Sequence, residues 1–352
     1  MNMISSAAPP LDDPRDRGGP AQPLLIAREL RKHFKVKSDS GTAFVRAVDG
    51  VSFTLFKGET QGIVGESGCG KSTLARLLLH LVRPDSGELV FDGETVAEMR
   101  GITVNALRRQ VQMVFQDSYS SLNPRMPVQD TVAFGPFVHG KSKAESKAVA
   151  RSMLLQVGLN PDLFGSRYPH ELSGGQKQRV NIARALAIEP RMVILDEAVS
   201  ALDKSVEAQV LNLLRALKAD FNLTYLFISH DLNVVQYISD RVLVMYLGAV
   251  VELGPVDEIF SHPLHPYTRA LLGSRPSMNP KQRIEEPPIT GDPPSPIDPP
   301  SGCRFRTRCP FAEPVCEARI PELGAWTDRE SHVAACHMQV ADSGHSRAVG
   351  NA

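Results

Sequence analysis

The sequence has no apolar run long enough to cross a bilayer: its longest strongly apolar stretch, Val242 to Val251, is about half of the roughly 20 residues a spanning helix needs. It also lacks net charge, with 39 Lys plus Arg against 39 Asp plus Glu in 352 residues. No overall positive field exists to gather nucleic acid, so no nucleic-acid partner is expected. The opening stretch MNMISSAAPPLDDPRDRGGPAQP has neither a basic n-region nor an apolar h-region. That excludes a secretory signal there and predicts a chain that stays in the cytoplasm. Cysteine is scarce, and five of them in a cytoplasmic chain argue against a disulfide framework, leaving metal ligation or packing. No internal repeat is visible, so one catalytic unit is expected.

What is present divides the chain into segments. Residues 1–22, rich in Pro, Asp, Gly and Ala, read as a disordered tail. Across residues 23–262, apolar runs such as LLIA, GIVG, MVFQ, MVILD, LTYLFIS and RVLVMY alternate with longer amphipathic stretches. Such runs predict an α/β domain with a mainly parallel sheet covered on both faces. Within it, residues 117–175 contain Pro124, Pro127, Pro136 and KSKAESKAVARSMLLQVGL, and are expected to form a helical subdomain. The segment Ile284 to Ser301, IEEPPITGDPPSPIDPPS, is too dense in proline for helix or central strand and reads as a linker. It sits within a C-terminal extension, 263–340, whose Cys-rich piece is too small to bury much core without a metal or a docking surface. Residues 341–352 read as a second disordered tail.

GESGCGKS, Gly65 to Ser72, fits GxxxxGK[ST] and lies between the strand-like QGIVG and the helical TLARLLLHL. Gly65, Gly68 and Gly70 let the backbone curl until its N–H groups and the next helix face a phosphate. Lys71 would reach the outer phosphates and the Ser72 hydroxyl would ligate Mg²⁺. Glu66, Ser67, Cys69 and Thr73 complete the candidate ATP contacts, with Cys69 read as a small loop residue. MVILDE, Met192 to Glu197, is an apolar strand ending in two carboxylates at the mouth of the sheet. Asp196 would hold the Mg²⁺ shell and Glu197 would polarise the attacking water. A buried strand with a solvated acidic end is the competing reading.

LSGGQKQR, Leu172 to Arg179, places Ser173, Gly174, Gly175 and Gln176 at a helix start, a second anion site. Together with GESGCGKS, Gln116 in VFQD, MVILDE, SALD from Ser200 to Asp203, and His230 in ISHD, it resembles the motif set of the ABC ATPases. The resemblance implies a P-loop ABC ATPase fold: a RecA-like mixed sheet core, a helical subdomain that cups a permease coupling helix, and here a small Cys-rich C-terminal extension. It implies that Gln116 senses the γ-phosphate and contributes to the Mg²⁺ site, and that His230 steadies the γ-phosphate and catalytic water. It also implies that Ser173, Gly174, Gly175, Gln176 and Asp203 contact nucleotide across a head-to-tail dimer. Phe34, in RKHFKV, stands where such ATPases stack an aromatic ring on adenine; a core phenylalanine is the alternative.

VFQDSYSSLNPRM and HPLHPYTRALL resemble the ATPase subunits of dipeptide and oligopeptide importers, and the likeness runs from Leu24 to Gln339. It implies an ATP-hydrolysing subunit at the cytoplasmic face of the inner membrane. The implied partners are two permease subunits, a second ATPase chain (self or paralogue) and, indirectly, an extracytoplasmic peptide-binding protein. Importers of nickel, opines or glutathione and soluble translation or DNA-repair ABC ATPases are the alternatives. The latter two classes carry tandem ATPase units or inserted coiled coils and zinc modules that are not visible here. Cys303, Cys309, Cys316 and Cys336 fit neither zinc-ribbon nor bacterial ferredoxin spacing. The resemblance favours a [4Fe-4S] cluster on them, with Zn²⁺ or plain packing as alternatives and His332 and His337 as substitute ligands.

Overall fold

The computed structural model describes residues 22–38, 41–117, 121–275, 291–324 and 331–350. The tail expected over 1–22 lies outside these residues apart from Gln22, as do residues 284–290 of the linker and 351–352 of the second tail. Strands β1 (Pro23–Ser38), β2 (Gly41–Phe56) and β3 (Thr60–Val64) lead to helix α1 (Lys71–Leu78). After β4 (Ser86–Phe91), β5 (Glu94–Thr95), α2 (Val104–Gln110) and β6 (Val111–Val114) comes a helical block. It comprises α3 (Val128–Val138), α4 (Lys143–Gln156), α5 (Pro161–Phe164) and α6 (Gly174–Leu186). Alternation resumes with β7 (Met192–Asp196), α7 (Lys204–Asp220), β8 (Thr224–Ile228), α8 (Leu232–Ile238), β9 (Arg241–Tyr246) and β10 (Ala249–Pro255). Helices α9 (Val256–Ser261), α10 (Pro266–Gly273) and α11 (Pro314–Ala318) and the short strand β11 (Val333–Ala334) complete the described chain.

Two sheets result. The larger has the order β11-β10-β9-β3-β8-β7-β6; β9, β3, β8, β7 and β6 run parallel, while β10 and β11 add on antiparallel at one side. Strands β3, β7, β8 and β9 are buried along their whole length, as a parallel sheet covered on both faces requires. Alternation of side chains divides the core in two. Val193, Leu195, Tyr225 and Phe227 join the cluster shared with α6 and α7, whereas Ile194, Leu226 and Ile228 join the cluster shared with β1, β2 and α1. The second sheet, in the order β2-β1-β4-β5, is antiparallel throughout and covers that other face, which the reading of a single mainly parallel sheet did not include.

In the helical block, α3 packs on α4 and both pack on α6. Ser142 and Glu145 start α4 with a reciprocal capping box. The C-terminal residues differ from expectation. Residues 341–350 are not a loose tail but fold onto the Cys-rich piece: Ser343 and His345 are buried, and His345 Nε2 lies 2.9 Å from the Phe311 carbonyl. The Ser343 hydroxyl donates to the His337 carbonyl and the Val349 N–H to the Met338 carbonyl. Composition misled because this segment is held by side-chain-to-backbone hydrogen bonds rather than by an apolar stripe. The described part of the linker is irregular, as expected, and its Pro296 carbonyl accepts a hydrogen bond from the Arg46 N–H of β2.

Candidate functional site

The candidate residues converge at the C-terminal ends of the parallel strands, where open α/β sheets place ligands. Gly65–Gly70 links β3 to α1, Gln116 follows β6, Asp196 ends β7 and His230 follows β8. The loop's conformation depends on glycine. Gly65 and Gly70 have φ of 150° and 110°, and a Cβ on them would meet the Met245 carbonyl oxygen at 2.2 Å and the Ala47 carbonyl oxygen at 2.1 Å. Gly68, also left-handed, faces open space beside the exposed Ser67, while Thr73 is half-buried in the first turn of α1. Lys71 is buried and its Nζ donates to the carbonyls of Gly65 (2.7 Å) and Glu66 (2.9 Å), which holds the ammonium inside the loop. The Cys69 thiol is buried under the loop and pushed up in pKa by that burial, the setting of a packing residue.

Ser72 Oγ donates to Asp196 Oδ1 at 3.1 Å, so a hydroxyl and a carboxylate come together from different strand ends. Burial pushes the Asp196 carboxyl above the ordinary carboxylate range and the Glu197 charge adds to it, while the Ser72 hydrogen bond opposes. A buried carboxylate with a raised pKa beside a hydroxyl fits a hard divalent cation, which Ser72 and Asp196 would hold. Next to them, Gln116 Nε2 donates to Glu197 Oε2 at 2.8 Å, and His230 Nδ1 lies 3.4 Å from the same oxygen. Glu197 has φ of 49°, and its N–H is fixed by the Ile228 carbonyl of β8. Left-handed backbone at a non-glycine residue is a strain that clusters at catalytic positions. Three residues from three strand ends thus meet on one carboxylate oxygen, poised to orient a water.

Ser173 caps α6: its Oγ accepts the Gln176 N–H at 3.3 Å while Gln176 Oε1 accepts the Ser173 N–H at 3.0 Å. Gly174 is half-buried, and the buried Gly175 leaves no room for a Cβ, which would meet Val206 Cγ1 at 2.5 Å. Asp203 is the exposed N-terminal residue before α7 and makes no side-chain cap. Ser173 and Asp203 therefore stand at exposed helix starts. Phe34 lies on β1 opposite Val45, two residues along β2 from the Ala47 carbonyl that presses on Gly70. Its ring is 38% exposed with Lys32 Nζ 5.7 Å from its centre, so it is not a core phenylalanine.

Cys303, Cys309, Cys316 and Cys336 all line one small cavity with Phe305, Met338 and His345, and none forms a disulfide. Burial pushes Cys303 up to about 11 and Cys336 up to about 12, with the neighbouring thiols adding to it. Among the described residues, however, no group of three or more His, Cys, Asp or Glu stands in a geometry that could hold a metal ion, so the expected cluster has no preformed ligand set. The two substitute ligands are engaged elsewhere: His332 Nε2 pairs with Glu252 at 2.8 Å, and His337 Nε2 lies 3.0 Å from the Arg319 carbonyl.

Some site residues were missed by the sequence reading. Arg308 reaches the P-loop and bonds Glu66 in a bidentate pair, and the Tyr267 hydroxyl accepts the Glu66 N–H at 2.9 Å. HPLHPYTRALL contains Tyr267 but served as a mark of kinship, and nothing in CRFRTRC tied Arg308 to a loop 242 residues away.

The arrangement is that of a P-loop nucleotide hydrolase with an added signature helix. Residues 48–200 match the ABC transporter family and residues 251–316 match the oligopeptide/dipeptide transporter C-terminal region. The oligopeptide transport ATP-binding protein AppF of Bacillus subtilis is 47% identical over 322 residues, covering 90% of this chain and 97% of that protein. OppF of Escherichia coli, also an oligopeptide transport ATP-binding protein, is 48% identical, covering 85% and 92% respectively. Among solved structures, CbiO1 of Clostridium perfringens, part of the ABC transporter complex CbiONQ, aligns with a TM-score of 0.58 at 29% identity, covering 68% of this chain and 91% of that one. The chain belongs to the ABC transporter ATP-binding proteins, in the oligopeptide/dipeptide branch, and is an ATPase of the P-loop ABC fold.

Proposed function

We propose that this chain powers the uptake of dipeptides or oligopeptides by hydrolysing ATP as one of two ATPase subunits docked on separate permeases. The observation that carries the reading is the meeting of Gln116, Glu197 and His230 on one carboxylate oxygen beside the Ser72–Asp196 pair. In this reading the loop N–H groups and Lys71 bind the β- and γ-phosphates, and Phe34 stacks on the base. Ser72 and Asp196, with Gln116 as a further ligand, would hold Mg²⁺, which would supply charge neutralisation on the phosphates. Glu197 orients a water and accepts its proton as the water oxygen bonds to the γ-phosphorus and the bond to the β-phosphate oxygen breaks. His230, steadied by Glu197, donates toward the γ-phosphate. Ser173, Gly174, Gly175, Gln176 and Asp203 of a partner chain close over the nucleotide, so that closure is coupled to hydrolysis.

A cleft of about 590 Å³, lined by Phe115, Phe134, His139, Arg108 and Arg184 between α3 and β6, supports docking of a permease helix. Among the described residues no helix is long and apolar enough to cross a membrane, so attachment at the cytoplasmic face would run through those permeases. The peptide cargo is supported by what the relatives are named for. The test is a complex of this chain with its permeases and a peptide-loaded binding protein. Peptide-stimulated ATP hydrolysis is expected, with Glu197→Gln abolishing turnover while ATP is retained. Unchanged turnover in that variant, or stimulation by nickel and not by peptides, would overturn the reading.

A second reading concerns the four cysteines, which line one cavity: a [4Fe-4S] cluster or Zn²⁺ there would require their side chains to turn toward a common centre and lose their protons. Iron and zinc analysis with visible absorption of anaerobically purified chain tests it. A colourless sample without either metal would leave them as packing thiols.

A further inference from the structure

Glu66 is the second residue of the phosphate loop, and each of its polar groups is engaged. Its carbonyl accepts from Lys71 within the loop (2.9 Å), but its N–H donates to the Tyr267 hydroxyl (2.9 Å) and its carboxylate is gripped by Arg308. Arg308 Nη1 donates to both carboxylate oxygens at 3.1 and 2.9 Å, and Nη2 donates to Oε1 at 3.1 Å. The guanidinium side chain is 7% exposed and the carboxylate side chain 23%. Arg308 Nη1 also reaches the Tyr246 hydroxyl at 3.4 Å.

The elements that supply these partners are joined by hydrogen bonds and ring contacts. Arg308 ends the tight turn between Cys303 and Cys309, in which the Arg306 N–H bonds the Cys303 carbonyl and the Arg308 N–H bonds the Phe305 carbonyl. Phe305 in that turn packs against Tyr246 and Tyr267, each with ring centres 5.4 Å away, and those two rings lie 4.6 Å apart. Arg304, in the same turn, bonds the Leu247 carbonyl and pairs with Asp49 of β2. The extension is therefore locked to the loop through an aromatic cluster and a half-buried ion pair.

The charge matters because of what the loop binds. A triphosphate is strongly anionic, and an unpaired carboxylate one residue from the N–H cradle would repel it in surroundings where charges are poorly screened. A bidentate arginine both cancels that charge and fixes its direction. We infer that Arg308 is a positioning residue of the ATP site, neutralising and orienting Glu66, so that the C-terminal extension is a working part of nucleotide binding and not an appendage. The inference rests on the ATP reading of the loop given above.

The test measures MgATP binding to the full-length chain and the KM and kcat of ATP hydrolysis in the assembled transporter. Variants are Arg308→Ala, Arg308→Gln, Glu66→Gln combined with Arg308→Ala, and Lys71→Ala as reference. Loss of the arginine is expected to weaken ATP binding and raise KM about tenfold, within the range of couplings between linked sites, with little change in kcat. Arg308→Gln, which keeps part of the side-chain bulk and an N–H donor while removing the charge, serves if the alanine variant does not fold. Adding Glu66→Gln should restore most of the lost affinity, because the uncompensated charge is then gone. A merely structural clasp would give no such rescue, since the double variant still lacks the pair. Unaltered ATP affinity in both single Arg308 variants, or a loss that Glu66→Gln does not relieve, overturns the inference. Failure of the unmodified chain to bind MgATP, or binding unaffected by Lys71→Ala, would instead overturn the ATP reading itself.

Discussion

At the scale of single residues, the site is set by a few positions with no latitude. Gly65 combines left-handed backbone with a carbonyl oxygen 2.2 Å from where a Cβ would lie. Gly65→Ala should therefore cost about 2 kcal/mol or more of folding stability, the scale of a strained backbone residue, and should reduce ATP binding as the loop shifts. Denaturant unfolding and nucleotide titration check this; a variant equal to the parent in both would contradict the geometry. Such residues were legible in the sequence because the P-loop, the MVILDE strand end and the signature helix are each contiguous, and local backbone geometry dictates their residue types. Glu197, Gln116 and His230 were legible as candidates, but their meeting on one oxygen was not. Arg308 was invisible for the same reason on a larger scale, since its partner is fixed by packing between segments far apart in the chain.

Among the elements, α10 shows how the extension is tied down. His265 is fully buried at the helix start, its N–H donates to the equally buried Glu252 of β10, and its Nδ1 accepts the Tyr267 N–H at 3.0 Å. Burial lowers the His265 pKa to about 4, against roughly 6.5 when unfolded. Between these values the unfolded chain binds the extra proton, so stability falls as pH drops from 6.5 toward 4, by up to about 1.4 kcal/mol per pH unit, and is unaffected by this group above that window. Protonation would also remove the acceptor that caps α10. His265→Asn keeps a cap without titrating in this range, so its melting temperature should depend less on pH. Identical pH profiles for parent and variant would show that His265 is not the titrating group. The parallel strands were legible as unbroken apolar runs. The antiparallel second sheet was not, because its strands mix exposed and buried positions along lengths that apolar runs do not mark. The fold of residues 341–350 escaped for want of any apolar pattern.

For the whole molecule, the proposed closure of a partner's Ser173 and Asp203, which stand at exposed starts of α6 and α7, over the nucleotide would make one chain an incomplete catalyst. Ser173 Oγ accepts from its own helix and so keeps its proton to donate outward. Turnover per chain is expected to rise with chain concentration in the absence of permeases, then level off as pairs form. Turnover independent of concentration would favour a self-sufficient monomer. Ser173→Ala should lower hydrolysis more than ATP binding if, as proposed, the loop that binds belongs to one chain and the serine to the other.

The pairing of β11 with Glu252 and Leu253 of β10 has a practical consequence for shortened forms of the chain. Cutting before residue 331 would bare the rim of the main sheet and leave its backbone donors and acceptors there as a template for adhesion between molecules. A fragment trimmed to the catalytic core is therefore expected to precipitate on expression rather than yield a minimal working motor.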